Sequence, residues 1–159
     1  MAKNPVTLQA FYYLDHFFEM VTFLREHYPD VEEEPEGEFL RKFENLKRDA
    51  QALTVRLANR RGRVFLKQAL AYDEIEDHEG SLIELEEAGL VRRPVPEDHA
   101  ELLATLTKVQ LLNFLKFSNA EWSGLRGLGK QDLIGKACEY CVFETLQEGG
   151  HMDQFVIQS

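Results

Sequence analysis

Residues 46–62 read LKRDAQALTVRLANRRG. Leu46, Ala50, Leu53 and Leu57 recur at i, i+4, i+7 and i+11, the spacing that lines up one buried face of a helix. A helix is therefore predicted from about Asp49 to Arg60, with Gly62 as its punctuation. The other side of the helix is basic. Arg56 and Arg60, at i and i+4, project from one helix side, and Arg61 follows directly.

Toward the N-terminus, a long helix is predicted from about Thr7 to His27. Phe11, Leu14, Phe18 and Val21 fall at spacings of 3, 4 and 3, while Phe17, Met20 and Leu24 widen the stripe. Pro29 ends it. The stretch from Asp30 to Glu38 holds six acidic residues with Pro35 and Gly37 and reads as a solvated connector. A helix from about Gly37 to Lys47 follows.

Toward the C-terminus, a short helix is expected around Val64 to Ala69. Asp77 caps the next helix, whose apolar residues are Leu82, Leu85 and Ala88, and Gly89 supplies a left-handed stop. Leu90-Val91-Arg92-Arg93 continues as a short extended piece until Pro94 and Pro96. Helices followed by such a piece resemble a winged-helix layout with a reduced wing. The last third restarts near Asp98. Thr107 and Gln110 have the spacing of a capping box. Leu111, Leu112, Phe114 and Leu115 form an apolar face. A loop with Gly124, Gly127 and Gly129 leads to a second helix from Lys130, carrying Leu133, Ile134, Ala137, Cys141 and Phe143. Beyond Gly149-Gly150 the pattern fades, and the tail from His151 to Ser159 reads as the beginning of something further on.

The chain has 159 residues, 44% of them hydrophobic, enough to bury a real core and to argue against disorder. The apolar run from Phe11 to Leu24 is interrupted by Asp15, His16 and Glu19, so it is neither a membrane span nor a signal-peptide core. No membrane partner and an intracellular setting are expected. Cys138 and Cys141 form a Cys-x-x-Cys pair inside a helical pattern. No second pair or histidine cluster completes a zinc site, so they are expected as reduced, packed helix cysteines. The net charge is −10, which by itself argues against nucleic acid, but the distribution reverses that argument. Between Arg41 and Gln68 nine basic residues face two acidic ones, +7 locally against −17 elsewhere. Charge this uneven suggests a basic face on an acidic body.

Catalytic chemistry is not evident. Pro29-Asp30 has no Glu-x-Lys or Asp-x-Lys partner to build a metal-dependent nuclease centre. The phosphate loop and the Gly-x-Ser-x-Gly elbow are absent. Asp15-His16-x-x-Glu19 lacks a second histidine on its face and reads as helix surface. No catalytic residue and no metal ligand is assigned.

Three stretches together resemble the N-terminal part of the Fanconi-associated nuclease (VRR-NUC) family. Phe11-Tyr12-Tyr13-Leu14 with Phe17 is similar to the family's aromatic opening. Val55-Arg56-Leu57, Arg60-Arg61-Gly62-x-x-Phe65 and Leu70-x-Tyr72-x-Glu74-Ile75 resemble its basic block, and Leu85-x-x-Ala88-Gly89-Leu90 its helix–glycine–strand step. Leu106 through Ala137 resembles the SAP-type helix pair, with Leu111, Leu112 and Leu115 on the first helix and Gly129-Lys130-x-x-Leu133 opening the second. The loop from Phe117 to Leu128 is longer than usual for such a pair.

The resemblance implies a mainly α fold: a winged-helix-like subdomain followed by a SAP-type helix–loop–helix, with at most a small β wing. The expected division is 1–97 with the basic block 41–68, then 98–148, then a tail 149–159 leading to an absent downstream domain. It further implies binding to a flap or branched duplex without sequence preference. Cleavage would fall to a nuclease domain using Mg or Mn, beyond a helical-repeat linker further along the parent protein. No cofactor is implied for this chain itself. Carried over by position, Arg56, Arg60, Arg61 and Lys130 contact phosphates, Tyr13 lines the same surface, and Gly129 allows close backbone approach at a helix N-terminus. From the residues alone, Arg63 and Lys67 extend the basic surface beyond Gly62, and Lys116, Arg126 and Lys136 add charge around the helix pair. Such contacts position a protein on the backbone and specify little sequence. Two other readings stay open. One is a protein-interaction domain whose arginines pair internally with the acidic residues between Asp73 and Glu87. The other is a winged-helix transcription regulator, which would normally dimerise on half-sites.

Overall fold

The computed structural model describes residues 9–117, 127–140 and 154–159, with the side chains of 114–117 and 139–140 outside that description. Among the described residues the chain is mainly helical, with seven α-helices and a small three-stranded sheet. It divides into two compact units, one of residues 1–61 and 70–91, the other of 62–69 and 92–159.

The first unit is built on three helices, α1 (Tyr12–His27), α2 (Pro35–Glu44) and α3 (Arg48–Ala58), followed by α4 (His78–Glu87). The predicted face of α3 is buried: Ala50, Leu53 and Leu57 are lost from solvent together with Leu46 just before it. Phe43 of α2 is fully buried, with the rings of Phe17, Phe18 and Phe39 at 4.7, 5.6 and 6.0 Å. Met20, expected in the α1 stripe, is 48% exposed. Leu14 and Val21 carry the inward face instead, and residue 20 lies beyond its edge.

The acidic connector is shorter than its composition suggested. Pro29–Glu32 forms a 3-10 turn, and α2 begins at Pro35, where a missing N–H costs nothing because that amide would have no helical partner. The acidic residues Glu36 and Glu38 fall in the first turn of α2, where they suit the helix dipole. At the far end of the unit both predicted caps of α4 are present. The Asp77 carboxylate accepts from the Gly80 amide at 2.9 Å. Gly89 sits at φ 75°, and the Gly89 and Leu90 amides donate to the carbonyls of Glu86 and Leu85. This is the paired closure of a Schellman motif.

The second unit holds α5 (His99–Thr105), α6 (Lys108–Phe117) and α7 (Lys130–Tyr140) with the strands β1 (Val64–Leu66), β2 (Val91–Arg92, where the chain crosses between units) and β3 (Phe155–Gln158). The segment expected as a short helix after Gly62 is thus strand β1, followed by a 3-10 turn, Lys67–Leu70. Gly62 at φ 79° makes the turn into it. The tail, from which no element was read, supplies β3, the central strand in the order β1-β3-β2. Val64 pairs with Ile157 and Leu66 with Phe155, antiparallel. Side chains alternate across a strand, so these four lie on one face, packed with Leu102, Leu103, Leu106, Leu111, Leu133 and Ala137 into a single apolar cluster. The capping box of α6 is formed: the Thr107 amide donates to Gln110 Oε1 at 2.8 Å and the Gln110 amide to Thr107 Oγ1 at 3.3 Å. Cys138, expected as packed, is exposed, because Leu133 and Ala137 set the inward face of α7. Cys141 lies outside the described residues. No helix of the described residues is long and apolar enough to cross a membrane.

Candidate nucleic-acid interface

In the first unit, α1, α3 and the segment before α4 bring Tyr13, Arg56, Tyr72 and Glu74 together. Arg56 lies with its guanidinium 4.2 Å from the Tyr13 ring centroid and 4.8 Å from that of Tyr72. Its Nε and Nη2 donate to Glu74 Oε1 at 2.9 and 2.6 Å, and the Tyr13 hydroxyl donates to the same oxygen at 2.7 Å. Burial opposes ionisation of Glu74, but the donors from Tyr13 and Arg56 outweigh it and hold the carboxyl below its usual range. The Tyr13 hydroxyl is pushed up to about 12, first by burial and then by its bond to Glu74. Burial works against the charge on Arg56 too, yet the bonds to Glu74 and Tyr13 raise its pKa above the ordinary value.

Arg60 lies just beyond the end of α3. Its Nε donates to the Tyr72 hydroxyl at 2.7 Å, and its guanidinium sits 5.4 Å from the same ring. The i, i+4 relation of Arg56 and Arg60 does put both on one side, with Tyr72 as the shared surface. Arg61 is exposed beside Arg60. Tyr13 itself is almost fully buried. The backbone amide of Tyr72 lies 2.8 Å from His78 Nε2 in α4, which ties the ring's position to that helix.

In the second unit, Arg63 is held by Asp98 and Glu101, its Nη2 lying 3.2 and 2.9 Å from their carboxylates. Asp98 also accepts from Arg92 Nη1 and Nη2 at 2.6 and 2.9 Å and from the Val95 amide at 2.9 Å. The Arg92 hydrogen bonds lower its pKa to about 2. Lys67 is exposed on the 3-10 turn, Lys130 is exposed at the start of α7, and Lys136 is half-buried on the same helix. The Gly129 carbonyl accepts the Leu133 amide at 3.1 Å, and a Cβ at Gly129 would meet no protein atom within 4 Å, so the backbone there is open to approach. The Lys116 side chain and Arg126 lie outside the described residues.

Sequence reasoning offered Glu74 as an internal partner only within the acidic stretch from Asp73 to Glu87, under the protein-interaction reading, and missed Asp98. Glu74 and Asp98 stand 18 and 35 residues from the arginines they bind, Arg56 and Arg63, and no short-range pattern connects them. Among the described residues no group of three or more His, Cys, Asp or Glu converges as a metal site would require. They do not fit the divalent ion that a nuclease centre needs.

Residues 11–92 match the family model described as "FAN1, HTH domain". Over 109 residues the chain is 32% identical to the Fanconi-associated nuclease 1 homolog of Pseudomonas aeruginosa, an alignment covering 69% of this chain and 20% of that protein. The chain thus spans about a fifth of the length of that curated relative. The crystal structure of paFAN1 bound to 2nt 5′-flap DNA with a gap is similar over 97% of this chain and 28% of that one, with a TM-score of 0.75 at 26% identity. The complex of paFAN1 with 1nt 5′-flap DNA with a gap is similar over 81% of this chain and 23% of that one, with a TM-score of 0.67 at 29% identity.

Proposed function

The chain belongs to the Fanconi-associated nuclease family, and on that premise we propose that it is a DNA-binding module of a structure-specific nuclease, engaging a flap or branched duplex through the phosphate backbone. The observation that carries this reading is the agreement of fold over 97% of the chain with a protein crystallised on 5′-flap DNA. The basic side chains fit the same reading. Arg60 and Arg61 stand exposed at the end of α3, and Lys130 stands at the N-terminus of α7, where helix amides and an unobstructed Gly129 favour an anion. The first unit then serves as the winged-helix-like part, with Tyr13 as a supporting residue, and Arg63 and Lys67 of the second unit serve as secondary contacts. Helices α6 and α7 serve as the SAP-type pair, to which Lys116, Arg126 and Lys136 contribute charge. Phosphodiester hydrolysis with Mg or Mn falls to the nuclease domain of the parent protein, which a helical-repeat region links to this module and which acts inside the cell on the DNA held here.

One observation favours the protein-interaction reading. Arg41, Lys42, Arg56 and Arg63 each lie against a carboxylate of their own unit, as an internally neutralised domain would have them. Fluorescence anisotropy with a labelled 5′-flap duplex, at low and moderate salt, separates the two. Salt-sensitive binding, weakened by roughly 1–3 kcal/mol in the Arg60→Ala/Arg61→Ala double variant, is expected. Absence of binding at low salt would overturn the DNA reading and bring the protein-interaction reading forward.

A further inference from the structure

Three donor contacts converge on one oxygen of Glu74, a residue to which the DNA-binding surface assigns no role. Its side chain is 10% exposed, against 33% for Arg56. The Arg56 guanidinium lies over both the Tyr13 and the Tyr72 ring, and Glu74 takes the edge formed by Nε and Nη2. A guanidinium has five N–H groups. The two bonds to Glu74 leave the Nη1 pair and one N–H of Nη2 outside that contact.

We propose that Glu74 is a positioning residue for DNA: it clamps Arg56 against two tyrosine rings so that the remaining N–H groups meet a backbone phosphate as a preset fork. This rests on the flap-binding reading above. An unrestrained arginine must give up its rotamer freedom when it engages a phosphate. Here folding has already removed that freedom, and the planar fork keeps the bidentate geometry that phosphate favours. The clamp extends one step further, because Arg60 Nε donates to the hydroxyl of the same Tyr72 ring.

Simple electrostatics makes the opposite prediction. A carboxylate near a phosphate repels it, so removing Glu74 would tighten binding if charge alone mattered. The sign of the effect therefore separates the two accounts.

The test is anisotropy on the labelled 5′-flap duplex at fixed salt with the wild type, Glu74→Ala, Glu74→Gln, Arg56→Ala and the Glu74→Ala/Arg56→Ala double variant. The folding of each is checked by circular dichroism. Glu74→Ala is expected to weaken binding by about fivefold although the chain becomes less negative, and to add nothing once Arg56 is absent. Glu74→Gln keeps an acceptor oxygen at the same place and is expected within about twofold of wild type. Should the alanine variant not fold, the nearly isosteric Glu74→Met carries the same expectation. Binding by Glu74→Ala equal to or tighter than wild type, tightening of threefold or more in Glu74→Gln, or a loss that persists without Arg56 would each overturn the positioning role while leaving the flap-binding reading intact. A wild type that does not bind the flap at all overturns both.

Discussion

Asp98 is a buried carboxylate surrounded by donors: both Nη atoms of Arg92, Nη2 of Arg63 and the Val95 amide. With about 2% of its side chain exposed, it could not stay ionised without them. They do more than offset burial, and the folded pKa falls to about 2, below the unfolded value of about 3.9. A group whose folded pKa is depressed contributes stability above its unfolded pKa and gives it up as pH falls through the folded one. Asp98 should thus contribute on the order of 2 kcal/mol near neutrality, lost between about pH 4 and pH 2. Urea unfolding of the wild type and Asp98→Asn checks this. The variant should be the less stable by that margin at pH 6, and the gap should narrow to roughly a third of it at about pH 2.5 and close only below the folded pKa. A gap independent of pH would mean that packing, not the ionised carboxylate, holds the site. At this scale the sequence was half legible. The i, i+4 spacing of Arg56 and Arg60 identified the basic side chains, but the contacts that hold them, Glu74 on Arg56 and Tyr72 on both, come from a segment that only the fold brings near.

Elements were legible where they carry their own signals. The Asp77 cap, the Gly89 stop and the Thr107–Gln110 box all rest on contacts within a few residues, and each formed as expected. The strands were not legible. Val64-Phe65-Leu66 and Phe155-Val156-Ile157 are continuous apolar runs buried on both faces, so neither alternation nor helical spacing appears in them. Gly37, expected at the start of a helix and at the end of a solvated connector, is in the helix, but its burial was not legible in that composition. It is buried in the first turn of α2, where a Cβ would overlap the backbone of Glu32 in the preceding 3-10 turn. Two effects compete in Gly37→Ala. Helix propensity alone would stabilise by about 1 kcal/mol. A steric conflict with backbone, which cannot swing aside as a side chain can, costs about 1–3 kcal/mol. The clash should win, and the variant should melt below the wild type in a calorimetric scan. A higher melting temperature would mean that the 29–32 turn yields freely.

Charge acts on the scale of the whole molecule, and folding changes what the linear count implies. Between residues 41 and 68 nine basic side chains stand against two acidic ones. Acidic residues from outside that stretch then pair with four of them, three in the first unit and one in the second: Glu32 with Arg41, Glu38 with Lys42, Glu74 with Arg56, and Asp98 and Glu101 with Arg63. Arg48 lies over the Phe11 ring. Each phosphate neutralised on duplex DNA contributes about 0.9 to the slope of log Kobs against log salt. Nine independent contacts would give a slope of about −8 from this block alone, and internal pairing should keep the measured slope well short of that. Arg60 and Arg61 should account for a definite share. In Arg60→Ala/Arg61→Ala the slope should become shallower by about 1.8, two phosphate contacts' worth, in a titration of the flap duplex from 50 to 200 mM salt, a range on the order of that over which counterion release is usually read. A parallel loss of affinity with an unchanged slope would mean that these arginines support the fold of the surface and do not touch the backbone. A change of slope near 1 would leave a single arginine on a phosphate, and the single variants would then show which of the two it is.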